Sequence, residues 1–345
     1  MSDVLTDASA FLGDVVALAR LWEVEVVIPV SEAALLSILP ARAKFGTAKI
    51  PFADVETFRR VSDKALVLDR ARQFDIGIPE QWTLASPATL ASFDRSALAF
   101  PLVIKPSRSV RPNAGRHMKL DVRHASDPRQ LDTELARIDA SAYPLLLQRR
   151  IIGPGVGVFL LLWDGDTVAV FSHRRIREKP PSGGVSVYRE SIPADPAVVA
   201  RSRTLLEHFG WQGVAMVEYK IDEASGVPYL MEINGRFWGS LQLAVDAGVD
   251  FPVLLLSAAE GRRPAPVMQY RAGVRSRWWW GDVDHLLARM RRSSDVGVRT
   301  PEDGGRWRAL RDFLVLWRPG DRNEVLRLDD PRPFFRETID WFRGR

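Results

Sequence analysis

The sequence predicts a mixed α/β protein of about two domains. Strand candidates rich in aliphatic residues alternate with helical patterns along the chain, and two antiparallel hairpins are marked by Asp164-Gly165-Asp166 and by DEASG at 222–226. The balance of 46% hydrophobic and 26% charged residues is that of a folded globular chain, with 345 residues enough for about two domains.

A helical pattern over 11–20 leads into VEVVIPV (24–30), a β-branched run read as a buried parallel strand. A second helix is expected from Ser31, then the short segment AKIPF (48–52), and Asp54 opens another helical stretch. One strand with its helices is half of an α/β domain. Residues 1–55 are therefore expected to be a partial N-terminal α/β domain, either truncated or with its true start upstream.

Helix 64–74 follows Asp63, and WTLAS (82–86), FPLVIKP (100–106) and HMKLDV (117–122) are strand candidates. Asp127 as N-cap with Pro128 behind it predicts a helix to 138. PLLLQRRI (144–151) is a strand leading to GPGVG (153–157), which lacks the following Lys and Ser or Thr of a phosphate loop and reads as a turn. VFLLLWDGDTVAVFSHRRI (158–176) is a hairpin, 195–209 a helix, GVAMVEYKI (213–221) with PYLMEIN (228–234) a second hairpin, and SLQLAVDAG (240–248) a helix stopped by Gly248.

The absence of cysteine removes disulfides, thiolate metal sites and cysteine nucleophiles, leaving oxygen and nitrogen chemistry. Apolar runs fall far short of the roughly 20 residues that span a bilayer. The N-terminus is acidic ahead of its first apolar stretch, unlike a secretory leader, so a cytoplasmic protein is expected. Residues 262–345 hold 19 arginines against 12 acids, enough to account for the net charge of +5. The signs alternate there, which argues against nucleic acid as a partner. Five histidines show no ligand spacing, and His117 and His124 are placed in loops. Six of the eleven tryptophans lie beyond residue 270, three of them in RWWWGD (277–282). That segment is either a tryptophan-rich satellite core or an aromatic, basic surface for a partner, an anionic substrate or peripheral membrane contact.

Glu218 and Glu232 carry the clearest chemical signal. Period-two geometry puts Glu232, Asn234 and Arg236 on one face of an extended strand, and the hairpin brings Glu218 alongside. Both acids sit within apolar strand sequence, where an unpaired charge is costly, so they need a cation or a partner. Oxygen ligands of this kind suit Mg²⁺, with Mn²⁺ the alternative. Lysine is scarce, seven among 48 basic residues, yet Lys105 ends an apolar strand and Lys64 opens a helix, both suited to phosphate oxygens.

With GVAMVEYK followed, fourteen residues on from acid to acid, by MEINGRFWGS, the sequence resembles the ATP-grasp superfamily in its carbamoyl-phosphate-synthase-like carboxylate–amine ligase branch. The resemblance covers roughly 24–256 and implies an ATP-grasp fold, two α+β lobes gripping ATP. The small lobe would span 56–147 and the large lobe 148–261 with the Mg-ATP site, followed by a basic, Trp-rich extension at 262–345. It further implies that Glu218, Glu232 and Asn234 hold Mg²⁺. Lys64 and Lys105 would contact the phosphates, and Arg236 the transferred phosphoryl group and developing acyl phosphate, so Arg236 and Lys105 are the catalytic candidates. Gln148, the backbone of Arg149 and the Ile151 N–H would read adenine, while Arg174, Arg175, Gly184 and Ser186 fall in the acceptor loop. Gly235 stands where many relatives have proline. The implied activity is ADP-forming ligation of a small carboxylate to an amine through an acyl phosphate. A nucleotide-binding protein without catalysis and a small-molecule kinase remain the alternatives.

Overall fold

The computed structural model describes residues 1–91, 93–113, 115–291, 305–315 and 318–344. Four helices open the chain, each begun by a short oxygen side chain that accepts from a first-turn N–H. Asp7 caps α1 (Ala8–Leu21), Ser31 caps α2 (Glu32–Ile38), Asp54 caps α3 (Val55–Val61) and Asp63 caps α4 (Lys64–Ala71).

The run at 24–30 corrects the sequence reading, because it forms no strand. It makes a single parallel bridge, Val26 to Lys49, with Val30 exposed. A β-branched run becomes a buried strand only between two partners, and here a partner exists on one side, for one residue pair. Leu35, Ile38, Phe45, Phe52 and Phe58 of this region instead join the core of the larger sheet described below.

A four-stranded antiparallel sheet forms the small lobe. Its strands are β1 (Gln81–Leu84), β2 (Leu102–Pro106), β5 (Arg123–Ala125) and β6 (Leu145–Arg149), in the order β1-β6-β2-β5. α5 (Pro87–Ala91) follows β1. β3 (Val110–Asn113) and β4 (Arg116–Lys119) pair as a separate hairpin, and α6 (Pro128–Ala136) follows β5 with Asp127 as its cap. Alternation sorts each strand: Leu102, Ile104, Leu145 and Leu147 enter the lobe's own core with Leu131 and Leu135, which leaves Val103, Lys105 and Gln148 for the cavity between the lobes. His117 lies on β4 and His124 on β5, not in loops, because both fall inside ladder pairs, His117 opposite Pro112 and His124 opposite Val103.

The large sheet has seven strands, ordered β11-β10-β7-β8-β9-β12-β13. β7 (Gly155–Trp163) and β8 (Asp166–Lys179) turn through Asp164 and Gly165, whose φ angles of 49° and 82° fit a two-residue hairpin. β9 (Val185–Ser191) precedes α7 (Pro196–His208), and β10 (Gly213–Ile221) pairs with β11 (Pro228–Asn234). α8 (Leu241–Ala247) ends on Gly248 at φ 109°, and α9 (Phe251–Ala259) follows at 92° to it. No single helix among the described residues is long and apolar enough to cross a membrane.

Beyond residue 262 the chain continues the same sheet. β12 (Arg275–Arg277) pairs antiparallel with β9, and β13 (Asp321–Asn323) adds in parallel, while α10 (Trp279–Met290), α11 (Arg306–Leu314) and α12 (Arg332–Phe342) cluster alongside. Trp280 stacks on Trp341 at 4.3 Å. Of the C-terminal aromatic residues, Trp317 lies outside the described residues, as does 292–304. Asp282 is fully buried and accepts from Arg177 of β8 and from Arg277, which fastens α10 to the sheet.

Candidate active site

The two lobes face one another across a cavity of about 370 Å³. Glu218 and Glu232 are direct partners in the β10–β11 ladder, and Asn234 and Arg236 continue the same wall. Asn234 Nδ2 donates to Glu232 Oε1 at 3.0 Å, and Arg236 donates to Asn234 Oδ1 at 3.0 Å. From α4, Lys64 reaches Glu232 at 3.2 Å and Ser109 Oγ at 2.6 Å. Lys105, buried at the end of β2, points Nζ to the Met231 carbonyl at 3.5 Å.

The adenine-side candidates lie on β6 and just after it. Gln148 donates to Gln81 Oε1 at 2.6 Å, and the Arg149 N–H goes to the Glu80 carbonyl at 2.9 Å. Ile151 is buried, past the end of the strand, and all three residues line the cavity. Of the acceptor-side candidates, Arg175 holds Glu178 Oε1 and the Gly184 carbonyl, each at 3.0 Å, and also pairs with Glu218. Ser186 lines the same wall. Arg174 does not join them. Strand alternation turns it to the opposite face, where it pairs with Glu190, itself shared with Arg275.

Burial raises the Glu218 carboxyl above its ordinary value, helped by Glu232 and Glu178 and opposed by Arg175. Burial acts the same way on Glu232, but Lys64 and Lys105 outweigh it and hold that carboxyl at about 2. Lys105 is pulled down to about 8 by burial and by Lys64, against the pull of the two acids. The fit to a hard divalent cation is good: two carboxylates and an amide oxygen, no sulfur, on one wall beside two phosphate-sized cations. No group of three or more His, Cys, Asp or Glu side chains suited to a metal occurs among the described residues, so water and phosphate oxygens would have to complete the shell.

Several cavity residues escaped sequence reading. Lys220 was within reach, since it follows Glu218 at strand period and donates to the Gly153 carbonyl at 3.3 Å. Glu178 was not, because register shifts between Arg175 and Glu178 reverse the parity of β8. Glu32 on α2 does not line the cavity, but its carboxyl is raised by burial, in the fields of Lys64, Arg236 and Glu232. His124, Arg189 and Trp238 also line the wall. Gly235 has a structural reason, since a Cβ there would come within 2.3 Å of the Trp211 ring.

Residues 141–280 match a family described as ATP-grasp in the biosynthetic pathway with Ter operon. A structure of L-amino acid ligase from Bacillus licheniformis superposes with a TM-score of 0.58 at 19% identity, over 75% of this chain and 61% of that one. The biotin carboxylase domain of Hydrogenobacter thermophilus 2-oxoglutarate carboxylase, in complex with MgADP, superposes at 0.61 with 16% identity, over 78% and 61%. The chain has the ATP-grasp fold. Among curated sequences, a Streptomyces coelicolor relative named "Putative D-alanine–D-lactate ligase" is 25% identical over 232 residues, 62% of this chain and 64% of that one. The chain thus spans less than two thirds of the length of each of these relatives.

Proposed function

We propose that the protein is an ATP-dependent ligase that activates a small carboxylate by phosphoryl transfer, releases ADP and phosphate, and joins the activated acid to an amine. The single observation that carries this reading is the wall on which Glu218 and Glu232 face each other with Asn234 and Arg236, opposed by Lys64 and Lys105. The placement of Gln148, Arg149 and Ile151 in the same cavity supports an adenine site there.

Glu218, Glu232 and Asn234 would hold Mg²⁺, which when bound neutralises phosphate oxygens and polarises the transferring group. Lys64 and Lys105 supply positive charge to the phosphates. Arg236, anchored by Asn234 and the Phe237 carbonyl, is placed to hold the oxygens of the acid and the charge that develops as its acyl phosphate forms. Arg175 and the turn at Gly184 border the acceptor. No nucleophilic side chain is needed, because positioning and charge neutralisation do most of the catalysis in phosphoryl transfer. The name of the Streptomyces relative favours a second reading, in which a hydroxyl acid replaces the amine and a C–O bond forms.

The test is ADP release from Mg-ATP by the full chain with pooled small acids, amines and hydroxy acids. Release that depends on a pool and vanishes in Glu232→Gln supports the ligase. Release that needs an acid but neither an amine nor a hydroxy acid would make the protein a kinase, and Mg-ATP binding without release in any pool would leave a non-catalytic nucleotide binder.

A further inference from the structure

One wall of the cavity holds buried polar atoms with no partner among the described residues. Besides Arg175 Nε, they are both ring nitrogens of His173, the Ser186 hydroxyl, Arg189 Nε and Trp238 Nε1. The four residues are 1%, 6%, 1% and 6% exposed. A buried donor without a partner costs free energy that a native fold seldom leaves unrecovered, and such groups concentrate where a ligand completes them.

The chemistry of the set is one-sided. Arg189 Nε and Trp238 Nε1 can only donate, and the Ser186 hydroxyl can turn to donate. Burial, then Arg175 and Arg189, push His173 well below its ordinary value, so its ring is neutral and donates from one nitrogen. None of these atoms is paired with another of the set. Trp238 is packed between Phe159 at 4.4 Å and Phe251 at 5.1 Å, and His173 meets the edge of Phe159 at 4.8 Å. Gly157 keeps that wall in place, because a Cβ would lie 2.6 Å from Phe159. Arg189 is anchored by its other nitrogens to Glu324, to the Ser186 carbonyl and to the Gly239 carbonyl.

The surroundings favour an anion. Eight lysines and arginines line the cavity against three carboxylates, and Arg175 and Arg189 lie close enough for each to be felt at His173. We propose that His173, Ser186, Arg189 and Trp238 bind the non-reacting end of the acid substrate, that this end is a second carboxylate, and that the protein selects small dicarboxylic acids. The inference rests on the ligase reading, with Arg236 taking the reacting carboxylate. The donor atoms are shielded from water, and a carboxylate has to displace these side chains to reach them.

Calorimetric titration of the full chain, with Mg²⁺ and a non-hydrolysable ATP analogue present, compares succinate and glutarate with butyrate and valerate. The diacids are expected to bind at least about tenfold more tightly than the monoacids of equal length, the worth of one charge-assisted hydrogen bond. Ser186→Ala, which removes a donor with little change of shape, and Trp238→Phe, which removes a donor and also part of the ring, should each shrink that ratio and leave analogue affinity within about twofold. Equal binding of diacids and monoacids, or a preference that survives both substitutions, overturns the subsite while analogue binding leaves the nucleotide site standing. Failure of the analogue itself to bind overturns the ligase reading and the subsite with it.

Discussion

Glu218 and Glu232 stand opposite one another in the β10–β11 ladder, yet each is held by a different cation, Arg175 from β8 and Lys64 from α4. Like charges directly across a ladder are destabilising unless compensated, and here the compensation comes from β8 of the same sheet and from α4, which packs against β11. A divalent cation that binds the pair must share the acids with Arg175 and Lys64 or displace them. The two carboxyls are therefore unequal before any ligand arrives, Glu232 low and Glu218 high.

Glu232→Gln is expected to lower Mg-dependent ADP release by at least about 10²-fold, the usual scale for losing one preorganised electrostatic contact. The substitution keeps the hydrogen bond to Asn234 but strips Lys64 and Lys105 of their nearest counter-charge. Far-UV circular dichroism should match the parent. Turnover within a fewfold of the parent would remove Glu232 from the metal site.

Lys105 gives a pH dependence with opposite signs for activity and stability. Its ammonium titrates near 8 in the folded chain against an ordinary 10.5. Between those values the unfolded chain binds more protons, so this group makes stability rise with pH. Phosphate binding needs the charged form, so kcat/KM should fall by about tenfold per unit above pH 8, with the limb displaced upward in kcat where bound phosphates hold the proton. Lys105→Arg should flatten the limb. A profile unchanged by that substitution would assign the limb to another group.

Gly235 and Trp211 are a packing pair that no spacing rule announces. Gly235→Ala would press a methyl into the indole, and overpacking of this kind costs about 1–3 kcal/mol. Gly235→Pro should fare no better. Urea denaturation of Gly235→Ala, alone and with Trp211→Leu, checks the cause: the second substitution should recover part of the loss. Parental stability in Gly235→Ala would mean that the ring moves freely.

The parts of the site that were legible in sequence are those set by local period. Glu218 opposite Glu232 follows from a hairpin of alternating strands, and the cap Asp127 follows from that residue and the proline behind it. Arg174 and Arg175 show the limit. Parity separates them, but which one faces the cavity depends on the partner sheet, and the register shifts that bring Glu178 inward leave no trace in composition. The run at 24–30 fails for a related reason, since β-branched character reports what a segment tolerates and not whether partners exist. Contacts such as Arg189 with Glu324 join residues far apart in sequence by charge alone, and many other pairings would have looked equally good.

Asp282 tests whether the C-terminal region is an appendage or part of the large lobe. Its carboxylate has no exposed surface and receives Arg177 through Nε and Nη2 and Arg277 through Nε, all at 2.6 Å. Asp282→Asn removes the charge and leaves two largely buried guanidiniums facing a neutral amide, a loss of about 3–5 kcal/mol where one member of a buried pair is broken. Asp312→Asn, on α11 beside the exposed Arg308 and Arg311, should change stability by less than about 0.5 kcal/mol. Because β12 and β13 continue the sheet that bears Glu218, the Asp282 variant should lose nucleotide binding and tertiary structure in one shared transition. The measurement is thermal unfolding followed by near-ultraviolet circular dichroism and by fluorescent nucleotide displacement on the same sample. Two separated transitions, with nucleotide retained through the first, would make residues 262–345 an independent unit resting on the lobe. Deletion of 265–345 then gives the complementary result, insoluble chain if the region completes the sheet and a folded nucleotide binder if it does not.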